Sequence, residues 1–244
     1  MIELNRDGAA PILFVCDHAS RIFPTSLGRL DLSPEILDLH VAYDIGAAAV
    51  TRQLSETFDA PALLAGYSRL VIDLNRGLDQ PTLIPEYSDG IAIPGNHGLS
   101  EAGRAARIKA LYHPWHRTVA ARLHRMETSG GPAPVLIGLH SFTPVMAGLK
   151  RPWQVGVLWD GDGTLPRPLM AALAAGGEIH VGDNMPYSAR NPSGGTLETH
   201  ALDVNRSGFS IEIRQDLVAD ERGCAEWAGR VAEALKQVLP YIKH

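Results

Sequence analysis

Hydrophobic positions along the chain fall into short unbroken runs separated by longer stretches with helical spacing. The run "APILFVCD" (residues 10–17) is apolar throughout and ends in polar residues, the pattern of a strand buried on both faces. "APVLIGLHSFTP", "WQVGVLWDGDG", "GEIHVGDNMPYS" and "GFSIEIRQDLV" repeat that pattern further along. "APALLAGYSRLVIDLNR" (60–76) predicts two short strands joined by a turn at 66–68. Between the runs, residues 31–58 open with Ser33, Pro34 and Glu35, an N-cap followed by proline in the first turn. Ile36, Leu37, Val41, Ile45 and Leu54 then recur near helical spacing. Residues 99–130 predict a second helix, capped by Ser100 and bent at Pro114. A short helix is expected around 169–174, and 224–242 predict a closing amphipathic helix. Residues 77–98, with several Pro and Gly and no period, predict a long functional loop.

Strands alternating with helices predict an α/β fold of three αβα layers around a mostly parallel, mixed sheet. No repeat or shift in composition divides the chain, so one domain over 1–244 is expected. Composition then works by exclusion. With 45% hydrophobic residues the chain can build a sizeable core, and a net charge of -5 without a basic cluster argues against nucleic acid. No apolar run approaches a membrane span, and "MIELNRDG" lacks the basic start of a signal peptide. Cys16 and Cys224 form no C-x-x-C pair, which favours a reducing compartment. A cytoplasmic protein with no membrane or nucleic-acid partner is the expectation; oligomeric state is left open.

Candidate chemistry gathers where the strands end, because open α/β sheets bind ligands outside the carboxyl ends of their strands. Those ends carry Asp17 and His18; Asp73, Asn75 and Arg76; His140 and Ser141; Asp160 and Asp162; Asp183, Asn184 and Tyr187; and Glu212, Arg214 and Asp216. Imidazoles and carboxylates on one rim suit a metal-assisted hydrolase. The absence of G-x-G-x-x-G, G-x-x-x-x-G-K-[ST] and G-x-S-x-G argues against nucleotide binding and serine-hydrolase chemistry. His18 and His140 are candidate metal ligands, each with the alternative of a hydrogen-bonded core-edge histidine. Asp44, four residues after His40 and on the same face of the predicted helix, is the candidate third ligand, with a surface His–Asp pair as the alternative. In "SIEIRQD", Ile211 and Ile213 point one way and Ser210, Glu212 and Arg214 the other, so Glu212 is either paired with an arginine or a general base. "YHPWH" places His113 and His116 three apart on a helix, "DGDG" reads as a turn, and Cys16 is expected to be inert.

Taken in order, "CDHAS…P", "YDIGA", "DLNR", "LYHPWH", "GLHSFTP", "DNMPYS" and "IEIRQD" resemble the N-formylglutamate amidohydrolase family, from about Pro11 to Leu217. The resemblance is to a divergent branch, distantly similar to aspartoacylases and zinc carboxypeptidases. It implies a phosphorylase/hydrolase-like fold and a divalent metal, zinc first, held by His18 and His140, with Asp44 retained as the candidate third ligand. It makes Glu212 the general base that activates a metal-bound water. It also implies that Asn75 and Arg76 clamp an acidic small-molecule substrate, with Asp73 buttressing the arginine. His116, Tyr187 and His200 are further candidates for contact with the substrate. One departure stands out: the relatives draw a Glu ligand from three residues after the first His, and Arg21 occupies that place. The implied reaction cleaves an N-acyl amino acid such as N-formyl-L-glutamate to formate and L-glutamate. A carboxypeptidase- or deacylase-like hydrolase of another acidic amide, or a non-catalytic binder of an acidic metabolite, is the alternative.

Overall fold

The structure is a computed structural model describing residues 1–191 and 193–242. The strands of its main sheet are β1 (Ile2–Leu4), β2 (Ile12–Cys16), β3 (Ala62–Leu64), β4 (Val135–Phe142), β5 (Val155–Leu158), β6 (Val181–Asp183) and β7 (Gly208–Arg214). They form a seven-stranded sheet in the order β1-β3-β2-β4-β7-β5-β6. β3, β2, β4 and β7 run parallel; β1 is antiparallel to β3, and β5 and β6, parallel to each other, run against β7. The helices are α1 (Ala47–Phe58), α2 (Glu101–Arg107), α3 (His113–Thr128), α4 (Pro166–Ala174), α5 (Thr196–His200) and α6 (Glu221–Val238). The mostly parallel mixed sheet with helices on both faces is the predicted three-layer arrangement.

Strand alternation sorts the two faces. Ile137 and Leu139 of β4, Val155 and Val157 of β5, and Phe209, Ile211 and Ile213 of β7 pack against α1, α4 and α6 in one core. On the other face Leu13, Val15, Leu63 and Leu136 pack beneath Trp115, Val119 and Leu123 of α3. Gly138, His140, Ser210 and Glu212 lie on that second face too, where β4 and β7 run beyond α3 and leave the sheet uncovered. The predicted orientation of Ser210 and Glu212 away from Ile211 and Ile213 is thus observed.

Three expectations change. Residues 31–58 do not form one helix: Pro34–Asp38 is a 3-10 turn, and the α-helix begins only at Ala47. Gly46, at φ 77, reverses the chain there, and a Cβ at that position would lie 2.2 Å from the Val218 carbonyl oxygen. Asp44 and His40 therefore share no helical face. "VIDLNR" is likewise not a strand. No neighbouring strand is available to it, and side chains take carbonyls within it and just before it: Asn96 donates to Leu70, Arg107 to Val71, and His116 to Leu74. Finally, because β5 and β6 are reversed, Asp160 and Asp162 leave the sheet away from the ends of β4 and β7. Asp160 and Asp162 are exposed, and Asp162 accepts a hydrogen bond from the Thr164 backbone in a turn.

The long segment 77–98 carries local order: a 3-10 turn at Pro81–Leu83, a hairpin pairing 87–88 with 91–92, and a second turn at Pro94–Asn96. Asp89 and Gly90, both at positive φ, make the hairpin's two-residue turn. At Pro114, which cannot donate to the preceding turn, five residues (Ile108–Tyr112) widen into a π-helix before α3 resumes.

Candidate active site

A cavity of ≈ 490 Å³ opens over the uncovered part of the sheet, bordered by Asp44, Arg69, Asp73, Asn75 and Arg76 on one side and by Tyr187 to Ala189 on the other. The Tyr187 loop reaches it by folding back across β5. Gly156 permits that crossing, since a Cβ there would lie 1.8 Å from the Met185 carbonyl oxygen. Asn184 holds the loop's base, accepting from the backbone N–H groups of Trp159 and Ala189.

At the cavity floor one donor atom from each of His18, Asp44 and His140 lies within 4.8 Å of the others, and all three residues are buried. His18 Nδ1 is 3.4 Å from Asp44 Oδ1, and His140 Nδ1 is 3.0 Å from Asp44 Oδ2. Each ring turns its other nitrogen to a second carboxylate: His18 Nε2 meets Asp73 Oδ1 at 2.7 Å, and His140 Nε2 lies 3.3 Å from Asp17 Oδ1. A carboxylate can only accept, so the bond to Asp73 places a proton on His18 Nε2 and leaves its Nδ1 facing Asp44, whereas His140 donates from Nδ1 to Asp44 and turns Nε2 toward Asp17. Two imidazole nitrogens and a carboxylate oxygen, with a cavity on the fourth side, form a donor set suited to a divalent metal. His18 Nδ1 has no hydrogen-bond partner, which fits a position meant for an ion.

The charges reinforce one another. Burial opposes a charge on His140, but Asp17, Asp44 and Glu212 outweigh it and push its pKa up to about 10. Burial and Arg69 oppose a charge on His18, and Asp73 and Asp44 again prevail to raise its pKa. Burial would lift Asp44 and Asp73, yet the two histidines hold Asp44, and Arg69 with His18 holds Asp73, well below the usual carboxylate range. Glu212 behaves differently. It pairs in register with His140 across β7 and β4, its Oε2 is buried without a partner, and burial, helped by Asp44, pushes its pKa up to about 7. Among the described residues no arginine pairs with it, so the first of the two sequence readings of Glu212 does not apply.

Arg69 was not legible as a site residue in the sequence. It grips Asp73 Oδ2 through Nε and Nη2 at 3.1 and 2.7 Å, and reaches Asp44 Oδ1 at 3.4 Å. Its signal was the four-residue offset from Asp73, which a strand reading of that segment conceals. The arginine that Asp73 holds by hydrogen bonds is therefore Arg69. Arg76 instead bonds the Asn75 carbonyl oxygen at 2.8 Å and Ser193 Oγ at 3.3 Å. Asn75 Oδ1 accepts from the Thr196 backbone N–H at 3.0 Å, and Thr196 Oγ1 takes the Trp115 indole proton. Asn75 and the start of α5 are thus locked together.

Tyr187 borders the cavity and accepts a hydrogen bond from Arg151 at 3.2 Å. His116 and His200 do not line it, contrary to their expected contact with substrate. They pair with each other, Nδ1 to Nε2 at 2.9 Å, behind the wall, where His116 Nε2 donates to the Leu74 carbonyl. Burial lowers both, and the neighbouring His116 and Arg206 help bring His200 to about 4. His113 is exposed, and Arg21 pairs with Asp38 at the surface. Ser141 bonds the Ile45 carbonyl and, through its backbone, Asp44, so it supports the loop that carries the carboxylate.

A family model for N-formylglutamate amidohydrolases matches residues 10–219. The chain belongs to the N-formylglutamate amidohydrolase family. The crystal structure of gene product Atu2144 from Agrobacterium tumefaciens is 39% identical, with a TM-score of 0.93, covering 98% of this chain and 94% of that one. That of N-formylglutamate amidohydrolase from Ralstonia eutropha JMP134 shares the fold at 22% identity and a TM-score of 0.70, covering 96% of this chain and 94% of that one. Comparison with curated proteins finds no significant match. Membership makes the chain an amidohydrolase-type enzyme acting on a small molecule. Among the described residues, no helix is long and apolar enough to cross a membrane.

Proposed function

We propose that this protein is a metal-dependent amidohydrolase of N-acyl amino acids, with N-formyl-L-glutamate as the first substrate to assay. The observation that carries the reading is the unpartnered Glu212 carboxylate beside the buried His18–Asp44–His140 cluster. A divalent metal held by those three residues, zinc being well suited to the donor set, would supply Lewis acidity toward the acyl carbonyl and toward water.

The chain's own groups account for the rest. Glu212, pushed to about 7, is matched to taking a proton from the attacking water and returning it to the leaving nitrogen. Asn75 spends its Oδ1 on the Thr196 N–H, so its amide hydrogens remain to meet a carboxylate next to the Arg76 guanidinium. Holding that carboxylate fixes where the scissile bond lies. Tyr187, on the opposite wall, can donate its hydroxyl proton to the developing oxyanion. His116 and His200 act by holding Leu74, and with it Asn75, in place.

Elemental mass spectrometry of the purified protein should find about one divalent metal per chain, lost in His18→Ala and His140→Ala, together with formate release from N-formyl-L-glutamate. Protein that takes up no metal after incubation with zinc would overturn the reading.

A further inference from the structure

Arg151 stands outside the cavity lining, yet among the described residues it is the one side chain that bonds the Tyr187 hydroxyl. It is set there by a hairpin that follows on β4, the strand of His140, and pairs 145–146 with 149–150. Its backbone N–H donates to the Pro144 carbonyl at 2.8 Å and closes the base of that hairpin. From there the guanidinium lies 5.9 Å from the centre of the Phe142 ring and 4.9 Å from that of Tyr187. Its Nη1 reaches the Thr143 carbonyl at 3.4 Å and Tyr187 Oη at 3.2 Å. One planar cation thus joins the exit of the His140 strand to the loop that carries Tyr187.

The direction of the bond to Oη sets what the phenol can do. An arginine only donates, whereas a phenol has one hydrogen to give and an oxygen that accepts. Oη therefore accepts from Arg151, and its own hydrogen points elsewhere. Among the described residues no acceptor takes that hydrogen, and Tyr187 borders the cavity that also holds Glu212. Partial burial and the Glu212 carboxylate push the phenol pKa up, while Arg151, helped by Arg69, draws it back. A hydroxyl that accepts from a cation is polarised and donates more strongly in turn.

We infer that Arg151 is a positioning residue, which holds the Tyr187 ring and turns its hydroxyl hydrogen into the cavity, toward the oxyanion of the reacting acyl group. The inference rests on the hydrolase reading above and adds to it a residue that acts only through Tyr187. The structural alternative is that Arg151 packs on two aromatic rings and ties down the hairpin, with no effect on the phenol.

The test measures kcat and KM for N-formyl-L-glutamate on the metal-loaded protein, Tyr187→Phe, Arg151→Met, Arg151→Lys and the double variant Tyr187→Phe/Arg151→Met. NMR of isotope-labelled tyrosine at Cζ follows the titration of the Tyr187 phenol, assigned by its loss in Tyr187→Phe. Loss of one oxyanion donor costs about 10²- to 10³-fold in kcat, so Tyr187→Phe should fall by that order. Arg151→Met should lose about tenfold in kcat with KM nearly unchanged, and should move the Tyr187 titration upward. In the Tyr187→Phe background the same substitution should cost almost nothing, because the two side chains act as one unit. Arg151→Lys, which keeps the charge without the planar fork, should recover part of kcat. Equal losses in both backgrounds with the Tyr187 titration unmoved would overturn the inference and leave the hydrolase standing. A titration that moves in a protein turning over no N-acyl amino acid would sink the hydrolase and keep the hold of Arg151 on Tyr187. Neither turnover nor movement would overturn both.

Discussion

Asp17 stands 3.3 Å from His140 Nε2, across the ring from Asp44, which meets Nδ1 at 3.0 Å. The imidazole is thus held between two carboxylates, one orienting it and one sharing its proposed metal. Outer partners of this kind fix the tautomer and the ring plane, and their loss typically weakens metal binding by about 10- to 100-fold. Asp17→Asn should lower zinc affinity by that order, measured by competition with a chelator, while the protein still folds. An unchanged affinity would remove Asp17 from the site.

Glu212→Gln tests the base. The amide is nearly isosteric and cannot take a proton, so metal content should stay intact while kcat falls by about 10²- to 10⁴-fold. Equal loss of metal and activity would mean that Glu212 is a ligand; retained activity would mean that another group moves the proton.

Metal uptake should release protons. In the metal-free protein the His140 pKa lies at about 10, so at pH 8 its ring is charged, and binding through Nδ1 must displace that proton. Calorimetric titration with zinc at pH 8, in buffers of different ionisation enthalpy, should report release of about one proton or more per metal, with affinity rising with pH. Zero release at pH 8 would contradict the arrangement.

The His116–His200 pair predicts an acid-side instability. Burial, His116 and Arg206 depress His200 to about 4, so the unfolded chain, with an ordinary histidine near 6.5, binds the proton first. Stability contributed by the neutral ring is present above about pH 6.5 and is lost as pH falls toward 4. Thermal unfolding from pH 7 to 4.5 should therefore show a shallower fall in Tm for His200→Gln than for the natural chain. Parallel curves would show that this pair does not govern the acid limb.

Much of the molecule was legible in the order of residues. Four buried strands, 12–16, 135–142, 155–158 and 208–214, announced themselves as apolar runs, because a strand covered on both faces has no use for polar side chains. The closing helix and the Ser100 cap, which accepts from the Gly103 N–H, follow local rules of period and hydrogen bonding. His18, His140 and Glu212 could be singled out because polar residues ended or interrupted such runs. Asp44 was singled out by its spacing from His40 on a helix that the structure does not form.

Tertiary structure decided what depends on partners distant in the chain. Whether "VIDLNR" became a strand turned on the absence of a neighbouring edge and the presence of Arg107 and His116 to satisfy its carbonyls. The reversal of β5 and β6, invisible in any periodicity, separated Asp160 and Asp162 from a rim they were expected to share. Arg69 joined the site, and His116 and His200 left the cavity lining, for the same reason. Sequence pattern reports which face of an element a side chain occupies, but long-range packing decides what that face meets.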